Sequence, residues 1–208
     1  MFAFVIKHSN TQRFVFGIST STKIYIGTGG NKLEGRWDSG LADNASGQTA
    51  AELFPSLFDD GDLKTGNWRH FAVTYADRDS TSEGSVARIV YLNGELIRTQ
   101  NVNWNTTGGN MDGGMYFGGR SLRGSGTSTS YNNGWACGLD EVAIFDTVKD
   151  VSTLYNSGTP SDLTDESGLV GYWRFNEGNG TTVADLSGNG NHGTFASDIL
   201  PTWSTDTP

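Results

Sequence analysis

The sequence is poor in cysteine, proline, histidine and positive charge, and each shortage excludes something. Its 208 residues contain one cysteine, Cys137. No intrachain disulfide can form, so packing and hydrogen bonds must hold the fold. In "WACGLDEV" that cysteine sits in a strand-like run, where a lone Cys behaves as a small buried apolar residue. Lys and Arg number 14 against 23 Asp and Glu, a net charge of -9. Nucleic acid recruits Lys and Arg clusters, so it is excluded as a partner, and an anionic membrane surface is disfavoured. Such acidity keeps a chain soluble, although some Asp residues could gather around a hard cation. The opening "MFAFVIKHSN" has too short an apolar run and no basic leader, so it reads as neither signal peptide nor membrane span, and no membrane insertion is expected. The histidines His8, His70 and His192 are isolated, and the chain has no H-E-x-x-H, P-loop or G-x-S-x-G pattern.

Glycine and aromatic residues are plentiful: 29 Gly, six Trp, seven Tyr and eleven Phe. With few prolines and no long helical periodicity, they point to many short strands joined by tight turns. The length suits one all-β domain, with room for an appendage. Strand-length apolar runs recur in "FAFVIK", "RFVFGIS", "KIYIGTGG", "RHFAVTYAD", "ARIVYLNGELIRTQ", "GGMYFGG" and "LDEVAIFD". Asn93-Gly94 lies between two alternating segments and predicts a two-residue type I′ hairpin, since both central residues need φ > 0. In "RHFAVTY", Phe71, Val73 and Tyr75 share one face and His70, Ala72 and Thr74 the other, as in a strand packed on one side. "YWRF" likewise pairs Trp173 with Phe175 against Tyr172 and Arg174. Two short helices are expected. "TAAELF" opens at Thr49 with a capping box to Glu52, and "VKDVSTLYNSG" ends near a Gly158 C-cap. The polar "TPSDLTDES" reads as a linker.

Three segments together resemble the laminin-G-like, concanavalin A-like lectin and glucanase jelly rolls. "NWRHFAVTYADRDSTSEGSVARIVYLNGELIRT" is similar to that family's Trp-led strand, acidic turn and hairpin. "GLDEVAIFDTVKDVSTLYNSG" looks like its closing strand and following helix. "LVGYWRFNEGNGTTVADLSGNGNHGTF" looks like its first strand and first loop, displaced to the far end of the chain. The resemblance implies a two-sheet antiparallel β-sandwich with one or two short helices. Residues 1–158 would form the sandwich, 159–168 the linker, and 169–208 a segment that is permuted, swapped with a neighbour or appended. A sandwich without its opening strand would expose a sheet edge, so the permuted arrangement, in which 169–175 folds back, is favoured over the swap. The tail also resembles lectin-like virion proteins of tailed phages, which need no export signal. That implies a virion location.

Retaining glucanases of this family need two carboxylates flanking the glycosidic bond, supplied by E-x-D-x-x-E. No Glu here is followed two positions on by Asp, so no catalytic residues are assigned and the chain is read as a non-enzyme. In "DLSGNGN", Asp185, Ser187 and Asn189 alternate with glycines. The resemblance implies that such a loop can hold Ca2+, helped by Asp140 or Glu141, while an Asx-turn in the same loop would need no metal. Asp59, Asp60 and Asp62 before Trp68 read as a solvated turn. Trp68 and Trp173 read as core. Sugar recognition by a jelly roll stacks an aromatic on a pyranose and fixes its hydroxyls with polar groups. Trp37, Trp104, Tyr131 and Trp135 near turns, with Arg120 and Arg123, are the candidate glycan-binding set. Two roles follow from this reading. One is a carbohydrate-binding recognition module, and the other is a structural assembly protein whose partner is itself or another virion protein. A homo-oligomer is expected in either case.

Overall fold

The computed structural model describes residues 1–8, 13–18, 24–29, 32–37, 67–77, 85–103, 115–117, 120–121, 131–132, 137–195 and 200–208. The expected helix from Thr49 lies outside them. The strand-rich, antiparallel architecture expected from the sequence is what forms.

The runs read as strands become β1 (Phe2–His8), β2 (Arg13–Ile18), β3 (Ile24–Gly29), β4 (Lys32–Trp37), β5 (Trp68–Asp77), β6 (Ser85–Leu92) and β7 (Glu95–Asn103). Short strands β8 (Met115–Phe117), β9 (Arg120–Ser121) and β10 (Tyr131–Asn132) precede β11 (Cys137–Phe145). The chain closes with β12 (Leu169–Trp173), β13 (Thr182–Val183) and β14 (Gly193–Thr194). One sheet has six strands in the order β12-β11-β1-β5-β6-β7, and a second has four, β4-β3-β2-β8. The two sheets meet where Phe117 packs edge-on against Trp173, ring centroids 5.2 Å apart.

Strand β12 pairs antiparallel with β11 of its own chain, Val142 opposite Trp173 and Ala143 opposite Tyr172. It forms one edge of the six-stranded sheet. The Asn93-Gly94 hairpin also forms as expected, with φ of 49° and 80° at the two positions, the type I′ signature.

Strand β5 departs from the one-sided pattern. His70, Phe71, Ala72, Val73 and Thr74 are all buried, so both faces of β5 are covered. The outer face carries a second core, and a single row of residues explains it. Across five strands the register places Tyr172 opposite Ala143, Ala143 opposite Ala3, Ala3 opposite Ala72, and Ala72 opposite Tyr91. Three alanines between two tyrosines leave a shallow trough. A short helix, Val151–Tyr155, lies over it, burying Val151 and Leu154 against Met1, Phe145 and Leu163. An isolated five-residue helix is unstable in water, so this burial is what holds it.

The helix is capped at both ends. The Asp150 carboxylate accepts from Ser152 N at 3.0 Å, and Asn156, rather than the expected Gly158, is the C-cap, in the left-handed region at φ 44°. A single 3-10 turn then carries the chain to Gly158. Within residues 159–168, Leu163 is buried in the outer core.

Candidate functional site

The outer layer encloses a cavity of about 90 Å3 between the six-stranded sheet and the chain around the helix. Strand β5 supplies Trp68 and His70, β11 supplies Glu141, the hairpin supplies Asn93, and Tyr155 and Ser161 close the other wall. Volume on this scale holds a handful of ordered waters or part of a small ligand.

Local sequence explains each placement. Trp68 crosses the sheet toward β11, where a Cβ on Gly138 would stand 2.6 Å from its Cη2. Only glycine leaves the indole that space. Its Nε1 reaches Asp206 Oδ1 at 3.4 Å, so the C-terminal segment folds back over this edge. His70 is held by the hairpin: its N–H donates to Asn93 Oδ1 at 3.1 Å, and its carbonyl accepts from Asn93 N at 2.8 Å. The imidazole lies 5.7 Å from the Tyr155 ring. Burial lowers its pKa to about 4, so it is neutral at physiological pH, and its Nδ1 has no hydrogen-bond partner among the described residues.

Glu141 sits on a β-bulge. Ala3 opposes Ala143 and Val5 opposes Asp140, so β11 carries an extra residue there, and Glu141 takes φ 49°. That left-handed geometry costs a non-glycine residue about 1 kcal/mol. The bulge turns the Glu141 carboxylate toward the outer face, where Oε1 accepts from Arg174 Nε at 2.9 Å and Oε2 accepts from the Tyr172 hydroxyl. The same hydroxyl lies 3.1 Å from the Ser161 carbonyl. Burial first, and the neighbouring carboxylate second, push the Tyr172 phenol well above its usual range, so it stays protonated. Asp140 is buried beside this pair. Burial, with the charge of Glu141, raises its carboxyl to about 6.

The loop with Asp185, Ser187 and Asn189 has a different geometry from a cation cradle. Asp185 Oδ1 accepts from Tyr172 N and from Ser187 N, each at 2.9 Å, and Oδ2 accepts from Asn191 N at 2.8 Å. Burial raises the Asp185 pKa, but these hydrogen bonds outweigh it and leave the carboxyl below its usual value. Asn189 turns its amide Nδ2, a donor, to the carbonyls of Leu169 and Val170 at 3.1 and 3.0 Å. Asn191 Nδ2 reaches the Val170 carbonyl at 2.9 Å, and Leu186 N donates to Tyr172 O at 2.8 Å. The loop thus satisfies the outward backbone groups of β12 as a neighbouring strand would. Three N–H donors hold the Asp185 carboxylate, the Asx-turn arrangement that needs no metal, while Glu141 pairs with Arg174 and Tyr172. Among the described residues, no three His, Cys, Asp or Glu side chains gather as metal ligands.

The glycan-binding set read from the sequence is described only in part. Trp104, Arg123 and Trp135 lie outside the described residues, as do the three acids of 59–62. Trp37 ends β4, and Arg120 and Tyr131 open the paired strands β9 and β10, with Tyr131 opposite Ser121 and Arg120 opposite Asn132. Arg120 and Tyr131 therefore stand one register step apart. Their side chains, with that of Trp37, lie outside the described part. Sequence reasoning missed the outer cavity. Its only local signal was a Trp and a His two apart on one strand face, which is ordinary core patterning until the helix is in place.

These features define a two-sheet antiparallel β-sandwich with a helical outer layer. No protein-family model and no curated protein matches the chain. Among solved structures it is similar to one from Bacteroides ovatus described as a candidate carbohydrate-binding protein, at 16% identity and a TM-score of 0.56. The match covers 94% of this chain and 52% of that one, so the chain spans about half the length of that protein. Likeness at this identity concerns the fold.

Proposed function

We propose that the chain is a non-catalytic carbohydrate-recognition module, lectin-like in action, with a surface glycan as its partner. The observation that carries this reading is the β-sandwich itself, shared over 94% of the chain with a candidate carbohydrate-binding protein. The missing paired-carboxylate signature supports a binding role over hydrolysis. Trp37, Trp104, Arg120, Arg123, Tyr131 and Trp135 are the proposed loop contacts. The reading needs no calcium, since backbone N–H groups already hold the Asp185 carboxylate.

Residues 169–208 resemble the tails of lectin-like phage proteins, which supports placing the module on a virion as a fibre, adhesin or capsid decoration. A glycan array tests the central reading: wild type binds a defined glycan class, and Trp104→Ala or Trp135→Ala abolishes the signal with the fold intact. No glycan binding, or glucanase turnover that depends on a Glu, would overturn it. The second reading is a purely structural assembly protein, favoured by the same tail. It predicts an oligomer in light scattering, presence in purified particles and a silent array.

A further inference from the structure

We infer that the cavity beneath the Val151–Tyr155 helix is a saccharide subsite that takes the hydroxylated edge of one uncharged pyranose ring. This rests on the carbohydrate-recognition reading and assigns it a place the loop aromatics do not cover.

The lining has the chemistry such a ligand needs. Trp68 from β5 and Tyr155 from the helix, both half-buried, bring aromatic surface to the cavity. The apolar face of a pyranose packs on such surface, while its hydroxyls require donors and acceptors close by. His70, Asn93 and Ser161 provide them. The neutral imidazole is suited to a hydroxyl, which can both give and accept a hydrogen bond. His70 is buried with an unpartnered Nδ1, and a buried polar atom left unpaired is destabilising. Packing alone does not explain why this position is polar, since a phenyl ring would fill the same space. Glu141 and Arg69 give the lining charges of both signs, which selects for neither a cation nor an anion. Glu141 is also held in the left-handed region at φ 49°, strain of the kind that persists where it shapes a site.

The test uses the whole chain. Wild type labelled for NMR is titrated with the methyl glycosides of glucose, galactose, mannose and N-acetylglucosamine. The expected result is a shift of the His70 ring and Trp68 indole signals by at least one of them. In parallel, His70→Phe keeps the packing on Tyr155 but removes the polar atoms, and Ser161→Trp introduces bulk at the cavity wall. Each is expected to weaken glycan-array binding about tenfold, the loss of one good hydrogen bond, with a wild-type melting curve. If wild type binds glycans while both folded variants bind equally well, or the shifts are confined to the loops, the subsite is wrong and the lectin reading stands. If wild type binds no glycan, both fall. The titration needs no variant, so misfolding of either substitution leaves the question decidable.

Discussion

The Asp185 carboxylate accepts a hydrogen bond from the backbone N–H of Tyr172 at 2.9 Å, and so a side chain stands where the next strand of the sheet would be. An unpaired edge is a template for aggregation. Here the loop from Asp185 to Asn191 closes it with side-chain oxygens and amides. Asp185→Ala strands the N–H groups of Tyr172, Ser187 and Asn191 together, at an expected loss of about 2–4 kcal/mol. Its folded pKa lies below the unfolded value, so its contribution is present above that value and lost as pH falls through the folded one. Urea unfolding across a pH series should show a large difference between wild type and variant at pH 7 that shrinks once the pH falls below the usual carboxylate range. Added calcium should leave both curves unchanged, since three N–H donors already hold the carboxylate.

Asp140 and His70 have opposite pH signs in overlapping windows. The Asp140 carboxyl is raised from 3.8 to about 6 by burial. The folded state therefore holds this proton more tightly, and stability falls as pH rises from about 4 to 6. His70 is lowered from 6.5 to about 4, so here the unfolded state binds the proton more tightly and stability falls as pH drops through the same range. Each shift corresponds to about 3 kcal/mol, and the two slopes largely cancel. Asp140→Asn, which keeps an acceptor for Glu141 N, should raise stability at pH 7 and make the protein distinctly more acid-labile between pH 6 and 4. His70→Phe should remove the acid-side penalty and leave a protein that gains stability as pH falls from 6 to 4. Melting temperatures of the two variants across that range decide it. Parallel pH profiles would show that these groups are not buried as described.

Much of this fold is legible in the sequence because its signals are local. Asn93-Gly94 specifies its own turn, and alternation in "RHFAVTY" and "YWRF" separates the faces of two strands. The Glu141 bulge is not legible, since an extra residue in β11 is defined only by its pairing with β1. Nor is the outer cavity, which exists because three alanines from three strands line up and admit a helix. "DLSGNGN" is the instructive case. Alternating Asp, Ser and Asn oxygens suit a cation or a backbone equally well. Only the position of β12 beside the loop decides between them.

Gly94 joins the hairpin to the outer layer. Its φ is 80°, and a Cβ there would lie 2.8 Å from Tyr155 Cδ1. Gly94→Ala combines an unfavourable backbone with a displaced tyrosine, an expected loss of about 2–3 kcal/mol. Because Tyr155 is a cavity wall, the variant should also lose glycan binding more than its stability change explains. Calorimetry and array binding on the same preparation separate the two effects.

The edge strand β12 is where the fold is most exposed to a single change. Gly171 lies under the indole of Trp173, with a Cβ at that position only 2.3 Å from Cη2. Trp173 is buried, packs on Phe117 of the other sheet, and donates from Nε1 to Asn191 O at 2.9 Å. Gly171→Ala must therefore push a residue that ties the two sheets to the edge loop, and about 3 kcal/mol or more of stability should go with it. Removing residues 168 to 208 goes further: it uncovers β11, takes Tyr172 from the outer core and Trp173 from the inner one, and leaves an apolar edge. The truncated chain should be insoluble or form large aggregates in size-exclusion chromatography. If it ran as a folded species with the wild-type melting temperature, β12 would be an appendage, and the pairing of Tyr172 with Ala143 would contribute nothing to the core.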